Sequence, residues 1–476
     1  MDNQLLDFVV LALYFAVMIG AGYWGLRRAR SADDYLVAGR RLGPFMYIGC
    51  LSAVVLGGAS TIGGVALGYD YGISGMWLVF WIGMGVIALG ILMSSRLSRL
   101  GVYTVSEMLE NRYGAPSRLI SAIIIAAYAL MIAVTSTIAI GTVFNVVLPL
   151  SSSVAILVAG GLVVAYSVAG GMWSITLTDI IQFCIMTVGI FFLLLPLSIS
   201  AAGGLSGMQE ALPDSHFDIT AIGWQTIFTY FLLFFFGLMI GQDIWQRVFT
   251  ARSPEIARWG SIAAGVYCLL YALAGALVGT AARVMLPDVQ SDNAFARIAT
   301  EALPVGITGL VLAAALAAVM STASAGLLAS STILANDVYA GFIARGDHNK
   351  VLVSRVTTLL VGIVVLVISL IVSDVVGALT VAYDLLSGAL FVPIVGALFW
   401  RRATAAGALA SMAAGSVVVV IFMVMDGLFA NTPIIWGMLA SLVVFVVVSL
   451  LTARPSEERM EAWERRLTGS GAEGGT

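Results

Sequence analysis

Four small residues mark where this chain could do chemistry. Ala318, Ser321 and Thr322 recur at i, i+3 and i+4 within Val311 to Asp337, VLAAALAAVMSTASAGLLASSTILAND, and Ser324 flanks them. The segment is long and apolar, and its middle is crowded with hydroxyls and side chains no larger than alanine. A hard monovalent cation in a bilayer needs oxygen ligands that replace water without adding much net charge, which hydroxyls and free backbone carbonyls provide. Two plainer uses compete with that reading. Serine and threonine in membrane helices bond back to their own i−4 carbonyls, and small residues let helices pack closely.

Three carboxylates are placed where an ionisable group is costly unless paired or wet. Asp179, in the run SITLTDIIQ, is either a functional group inside a span or an N-cap following Gly170 and Gly171. Asp384, in VAYDLLSG, either faces a bound solute or holds its helix to a neighbour. Asp243 stands four residues before Arg247 at a span end, a spacing that predicts a local structural ion pair. No catalytic set is visible: His216 and His348 fall in opposite loops, without a nucleophile, base and oxyanion donor to go with them.

The elements that hold these groups must be membrane helices. Of 476 residues, 60% are hydrophobic and 10% charged, and no polar block is large enough for a second domain. The formal charge of −3 carries no nucleic-acid signal. Cys50, Cys184 and Cys268 all lie in apolar runs without metal-ligand spacing and read as buried packing thiols. The first apolar run follows acidic rather than basic residues and reads as a retained span.

Apolar runs predict thirteen spans, at 5–26, 43–67, 73–98, 119–146, 153–171, 174–198, 223–247, 257–284, 305–336, 351–373, 376–400, 403–426 and 433–453. Alternating them from an external N-terminus puts all 23 lysines and arginines except Arg283 and Arg297 on the cytoplasmic side. A miscounted span would destroy that asymmetry, so the C-terminus is expected inside. Two external connections, 201–223 and 287–304, are expected to carry short interfacial helices. The tail 454–476 is charged and then Gly-rich, and its EERMEAWERRL stretch could continue the last helix.

Two spans share glycine interruptions at mid-membrane. LGGASTIGG places Gly57, Gly58, Gly63 and Gly64 there, and FFFGLMIGQD places Gly237 and Gly241 there. Paired interruptions point to an inverted repeat of broken helices, five spans from each start; flexible or closely packed unbroken helices are the alternative.

Four stretches carry a family resemblance: SADDYLVAGRRLG after the first span, YSVAGGMWSITLTDIIQ at Tyr166 to Gln182, GQDIWQRVFTARSPEIAR at Gly241 to Arg258, and AVMSTAS followed by SSTILANDVY. In order and spacing the chain resembles the sodium:solute symporter family, which includes sodium/glucose, sodium/proline and bacterial sialic acid transporters. The resemblance covers nearly its whole length. It implies an all-α, leucine-transporter-like fold: one membrane transport domain at 1–453, with an extra N-terminal helix (5–26), repeat one (43–198), repeat two (223–400), two extra helices (403–453), and a cytoplasmic tail (454–476).

The resemblance also assigns roles. Ala318, Ser321 and Thr322 match the family's main sodium pattern, with partner carbonyls near Val54 and Gly57 in the first broken helix. Asp179 and Ser324 match part of a second sodium site, but Ala325 replaces a serine there, so one sodium is expected rather than two, and no organic cofactor. The fold nominates Ser60, Thr61, Trp77, Phe234, Gly237, Tyr383 and Ser387 for solute, with Trp77 as an aromatic wall. Leu56, Ser60 and Phe234 stand where sugar-carrying relatives present amides or acids, and no buried Lys or Arg is expected to await a carboxylate, although a broken-helix N-terminus could serve one. The expected activity is sodium-coupled symport of a small, partly apolar organic solute across the cytoplasmic membrane, with lipid as the surrounding partner. Proton coupling through Asp179 or Asp384 and a non-transporting receptor are the alternatives. Solute identity and oligomeric state are not encoded in any of these motifs.

Overall fold

The structure, a computed structural model, describes residues 2–147, 151–343, 350–372, 375–428 and 430–469. Among them only helices, turns and one isolated bridge, Leu42 to Ala251, occur. Ten helices are long and apolar enough to cross a membrane, or up to eleven if one bent pair counts as a span.

Helix α1 (Asp2–Arg28) ends on Arg27 and Arg28, basic residues suited to its C-terminal dipole and to an interface. The first glycine-interrupted span is broken. Helix α2 (Pro44–Val55) starts with proline at its first turn, and it stops at Leu56, whose ψ of 59° is not helical. The chain resumes through a wide turn, Ala59–Gly63, into α3 (Gly64–Tyr71). Helices α4 (Trp77–Leu92), α5 (Val105–Tyr113), α6 (Ala115–Val147) and α7 (Gly161–Met186) follow.

Helix α7 has a break of its own at Gly171 (φ 53°, ψ −136°). A Cβ there would lie 2.5 Å from the Tyr35 carbonyl oxygen, so close approach as well as backbone conformation requires glycine. Asp179 therefore sits well inside a helix, and the N-cap reading is wrong.

The second interrupted span is α8 (Trp224–Tyr230), continued by a wide turn through Phe235 and a short helix to Leu238, then α9 (Gln242–Val248), with 42° between the halves. The break falls at Met239–Gly241, not at Gly237. The indole N–H of Trp245 takes the freed Met239 carbonyl at 2.7 Å, which satisfies it without water.

Then come α10 (Pro254–Met285), α11 (Ala294–Ala302), α12 (Ile307–Ile333), α13 (Lys350–Ser369), α14 (Val375–Phe399), α15 (Ala405–Asp426), α16 (Thr432–Leu451) and α17 (Glu457–Thr468). Helix α12 is the central pillar. Its apolar stretch is 94% buried inside the protein, against 22% for α1, so its small residues serve close packing whatever else they do.

Short helices Gly204–Ala211 and Asp214–Phe217 occupy the first long connection, and Ser291–Asn293 with α11 the second. The tail does not continue α16. It restarts as α17, capped by Ser456, and docks when the Trp463 indole donates to the Ala397 carbonyl at 2.9 Å. Cys184 is exposed on its helix surface rather than buried, because its side of α7 faces outward. His348 lies outside the described residues.

Candidate functional site

The hydroxyl-rich face of α12 meets the break between α2 and α3. Thr322 Oγ1 donates to the Val54 carbonyl at 2.6 Å, and a Cβ on Gly57 would lie 2.4 Å from that same Oγ1. Gly57 is thus a contact glycine: any side chain would push α12 off the break. Ser321 points elsewhere, donating to Asp179 Oδ1 at 2.7 Å. Ser324 bonds back to the Ser321 carbonyl at 2.9 Å, the local role that serines in membrane helices often take. Ala318 is fully buried on the same helix.

Asp179 is the hub of a buried charge cluster. Besides Ser321, it accepts from Cys50 Sγ at 3.0 Å and pairs with Arg247 Nη2 at 3.2 Å, with both ionic side chains at 0% exposure. The expected Asp243–Arg247 side-chain pair does not form. The long arginine reaches across to α7, meeting Asp243 only at its backbone carbonyl, 3.4 Å away. A buried pair breaks even only when its spare polar atoms are bonded, and the hydroxyl and thiol do that for the carboxylate. Cys50 is therefore more than a packing thiol. The rest of the GQDIWQR stretch anchors α9: Gln242 bonds the backbone of Tyr103 and Val105, and Gln246 bonds the Leu36 carbonyl and Thr332.

Beside this cluster lies a narrow cavity of about 30 Å³, room for about two water molecules. Val54, Gly57, Ser60, Thr322, Asp243 and Tyr383 are among its lining residues. Tyr128 donates to Asp243 Oδ1 at 3.0 Å, and its hydroxyl is 3.1 Å from that of Tyr383.

The expected solute residues divide. Ser60 and Tyr383 line the cavity, although the Ser60 hydroxyl is turned to the Val55 carbonyl at 3.1 Å. Phe234, Gly237 and Ser387 form the layer behind Tyr383. Phe234 meets its ring edge-to-face at 5.3 Å, and a Cβ on Gly237 would lie 2.2 Å from the ring and 2.9 Å from Ser387 Oγ. Thr61 faces α10, bonding Tyr271 at 2.8 Å. Trp77 is not brought to the cavity. Its indole donates to the Ile219 carbonyl at 2.6 Å in the first long connection, and its ring stacks on Trp81. Asp384 is buried on α14, and among the described residues neither of its carboxylate oxygens has a hydrogen-bond partner.

Sequence reasoning missed Tyr128, Cys50 and the cavity position of Asp243. Nothing local marks the first two. Asp243 carries a signal in hindsight: it follows the interrupting Gly241 and so opens a half-helix beside the break.

Discontinuous apolar helices converging on a buried polar cavity define the class, a multi-pass membrane transporter. Residues 35–415 match the sodium:solute symporter family, and the chain belongs to that family. Its function is therefore transport, not catalysis. It is 29% identical to the high-affinity proline transporter PutP of Bacillus subtilis, over 92% of this chain and 97% of that protein. It is 27% identical to the sodium/glucose cotransporter of Vibrio parahaemolyticus, over 86% and 83%. Among solved structures, a sodium-coupled sialic acid symporter in a substrate-bound outward-open state matches with a TM-score of 0.84 at 18% identity, over 95% of this chain and 98% of that one. A nucleobase-cation-symport-1 family transporter matches at 0.58 and 15%, over 91% and 98%.

Proposed function

We propose that this chain is a sodium-coupled secondary active symporter of a small organic solute, working by alternating access. One observation carries the reading: Thr322 Oγ1 lies against the Val54 carbonyl at the helix break. That contact puts the hydroxyls of α12 and the freed carbonyls of α2 close enough to share a cation. Sodium, as transported substrate, would take oxygens from Val54, Gly57, Ala318, Ser321 and Thr322, replacing the hydroxyl bonds those groups now make. By bridging the break to α12 it would stabilise the outward-open state and organise the solute residues Ser60, Thr61, Phe234, Gly237, Tyr383 and Ser387. One positive charge moved across the membrane supplies about 2.3 kcal/mol per 100 mV, enough for useful accumulation.

One sodium per cycle is the stoichiometry we favour. Asp179 is engaged by Ser321, Cys50 and Arg247, Ser324 is turned to its own helix, and Ala325 offers no hydroxyl. The Arg247 guanidinium supplies a fixed positive charge beside the carboxylate that a second sodium would need.

The architecture proposed with this function is thirteen spans: an extra helix, two inverted five-helix repeats (43–198 and 223–400) and two extra helices. The N-terminus lies outside and α17 in the cytoplasm. Sodium-dependent uptake in proteoliposomes should collapse in Ser321→Ala and Thr322→Ala, and uptake indifferent to sodium would end the proposal. A specific observation favours one other reading, proton coupling, namely the unpartnered Asp384. Uptake driven by a pH gradient in sodium-free buffer, and lost in Asp384→Asn, would establish it instead.

A further inference from the structure

A recess of about 350 Å³ lies where the tail meets the helix bundle, sharing no residue with the sodium and solute cavity. Its volume falls within the usual range of small-molecule sites, about 300–1,000 Å³. Arg96 and Arg99 reach it from the short helix Ser94–Leu97 and the turn after it, just past Leu92, where α4 ends. Phe399, the last residue of α14, forms part of its floor, and Trp463, Glu464 and Leu467 of α17 form its outer wall. Leu92 and Phe399 are also the ends of two membrane-length apolar helices. The recess therefore sits at the membrane surface, where lipid headgroups lie, on the side that the charge asymmetry assigns to the cytoplasm.

Its charges are unevenly spent. Arg401, which also lines the recess, is held within the protein by Glu464 at 3.1 Å and Glu457 at 3.5 Å. Arg96 and Arg99 are not held in this way. Among the described residues no carboxylate lies within ion-pair distance of either, and Glu255 feels the charge of Arg99 only from farther off. The Arg96 guanidinium stands 4.8 Å from the centre of the Phe399 ring, a seat that orients it without cancelling its charge. Beside these two cations Ile91, Leu92 and Phe399 are exposed, so apolar surface leads from the recess toward the hydrocarbon. Orientation in the membrane requires basic residues on this side, but it does not require them unpaired around a cavity. A basic pocket at a span end with an apolar surface leading away from it matches the two parts of a phospholipid. Guanidinium groups bind phosphate oxygens in pairs, whereas a zwitterionic headgroup brings an ammonium that they repel. An acidic peptide would answer the charge and leave the apolar surface uncovered.

We propose that this recess binds the phosphate headgroup of an anionic phospholipid, with Arg96 and Arg99 as its ligands and the acyl chains lying over Ile91, Leu92 and Phe399. Because α17 forms the opposite wall, the bound lipid also fastens the tail to the bundle. The site goes beyond the symport reading and rests only on the membrane orientation given with it.

The test titrates the full chain, purified in dodecylmaltoside, with dioctanoyl phosphatidylglycerol, dioctanoyl phosphatidylcholine and inorganic phosphate, and follows the midpoint of thermal unfolding. Phosphatidylglycerol should raise the midpoint at concentrations about thirtyfold lower than phosphatidylcholine, since each arginine at the membrane surface contributes about a fivefold preference for anionic lipid. Inorganic phosphate, which lacks the apolar part, should not reproduce the effect. Arg96→Gln with Arg99→Gln should abolish the preference and leave α17 more open to added protease in phosphatidylglycerol. Arg27→Gln with Arg28→Gln, which removes two cations from the end of α1 on the same side, should keep both. The proposal is overturned by an equal response to the two lipids, by inorganic phosphate acting as well as phosphatidylglycerol, by an Arg96, Arg99 double variant that keeps the preference, or by an Arg27, Arg28 variant that loses it as fully. Should the Arg96, Arg99 double variant not fold, the single variants decide: each should narrow the preference by about fivefold, and no change in either overturns the site. None of these readouts depends on sodium or solute, so their failure would leave the symport reading standing.

Discussion

Replacing Arg247 by methionine is the sharpest probe of the structure's most expensive feature. Arg247 and Asp179 are both fully buried, 3.2 Å apart, and come from different halves of the protein. Removing the guanidinium leaves a carboxylate supported only by the Ser321 hydroxyl at 2.7 Å and the Cys50 thiol at 3.0 Å. Breaking a buried pair from one side costs about 3–5 kcal/mol, because the surviving charge stays desolvated. The two remaining hydrogen bonds hold part of it, which puts the expected loss near the lower end, about 3 kcal/mol. Removing both charges together, Asp179→Asn with Arg247→Met, should recover most of that loss. The assay is reversible unfolding in detergent for the native chain, both single variants and the double variant, read as a double-mutant cycle. A coupling of about 2 kcal/mol or more is expected. Additive single effects, each below about 1 kcal/mol, would match a solvent-screened pair and refute the buried cluster.

Other outcomes follow from single contacts. Thr322→Val keeps the shape but removes the hydroxyl facing Val54, and should raise the sodium concentration for half-maximal uptake by at least about tenfold, since a hydrogen bond or ligand to a charge contributes about 1.5–3 kcal/mol. Gly57→Ala places a Cβ 2.4 Å from Thr322 Oγ1 and should lower stability by about 1–3 kcal/mol and abolish uptake, measured by thermal unfolding and vesicle transport. Gly171→Ala forces a side chain into positive φ and into the Tyr35 carbonyl, and should lower folded yield sharply in a fluorescence-detected expression assay. Trp463→Phe removes the indole bond to Ala397 and should release α17 to added protease in inside-out vesicles at a cost of about 1 kcal/mol.

Much of this protein is legible before any coordinates, for physical reasons. Hydrocarbon thickness fixes the length of apolar runs, so helices occur at the places the sequence marks; of the marked glycines, Gly57 and Gly241 fall at the two breaks, while Gly58, Gly63, Gly64 and Gly237 keep helical backbone and serve close packing. The A-x-x-S-T spacing likewise fixes that Ala318, Ser321 and Thr322 share a face. What the spacing could not reveal is direction. Ser321 turns to Asp179 while its neighbour Thr322 turns to Val54, a difference set by what α7 and α2 place opposite. Arg247 defeats a local rule for the same reason: i+4 spacing pairs it with Asp243, but a side chain long enough to cross between helices follows the more deeply buried carboxylate. The break at Gly171 and the exclusion of Trp77 from the cavity are tertiary facts too, decided by the close approach of Tyr35 and by the loop carrying Ile219.

The most direct test of the central claim is solute-induced charge movement across proteoliposomes bearing this protein, recorded in sodium and in potassium at equal ionic strength. The account predicts an inward positive current on addition of a transported solute in sodium, none in potassium, and none in the Ser321→Ala, Thr322→Ala double variant. Equal currents in potassium, or a double variant that behaves like the native chain in sodium, would contradict it.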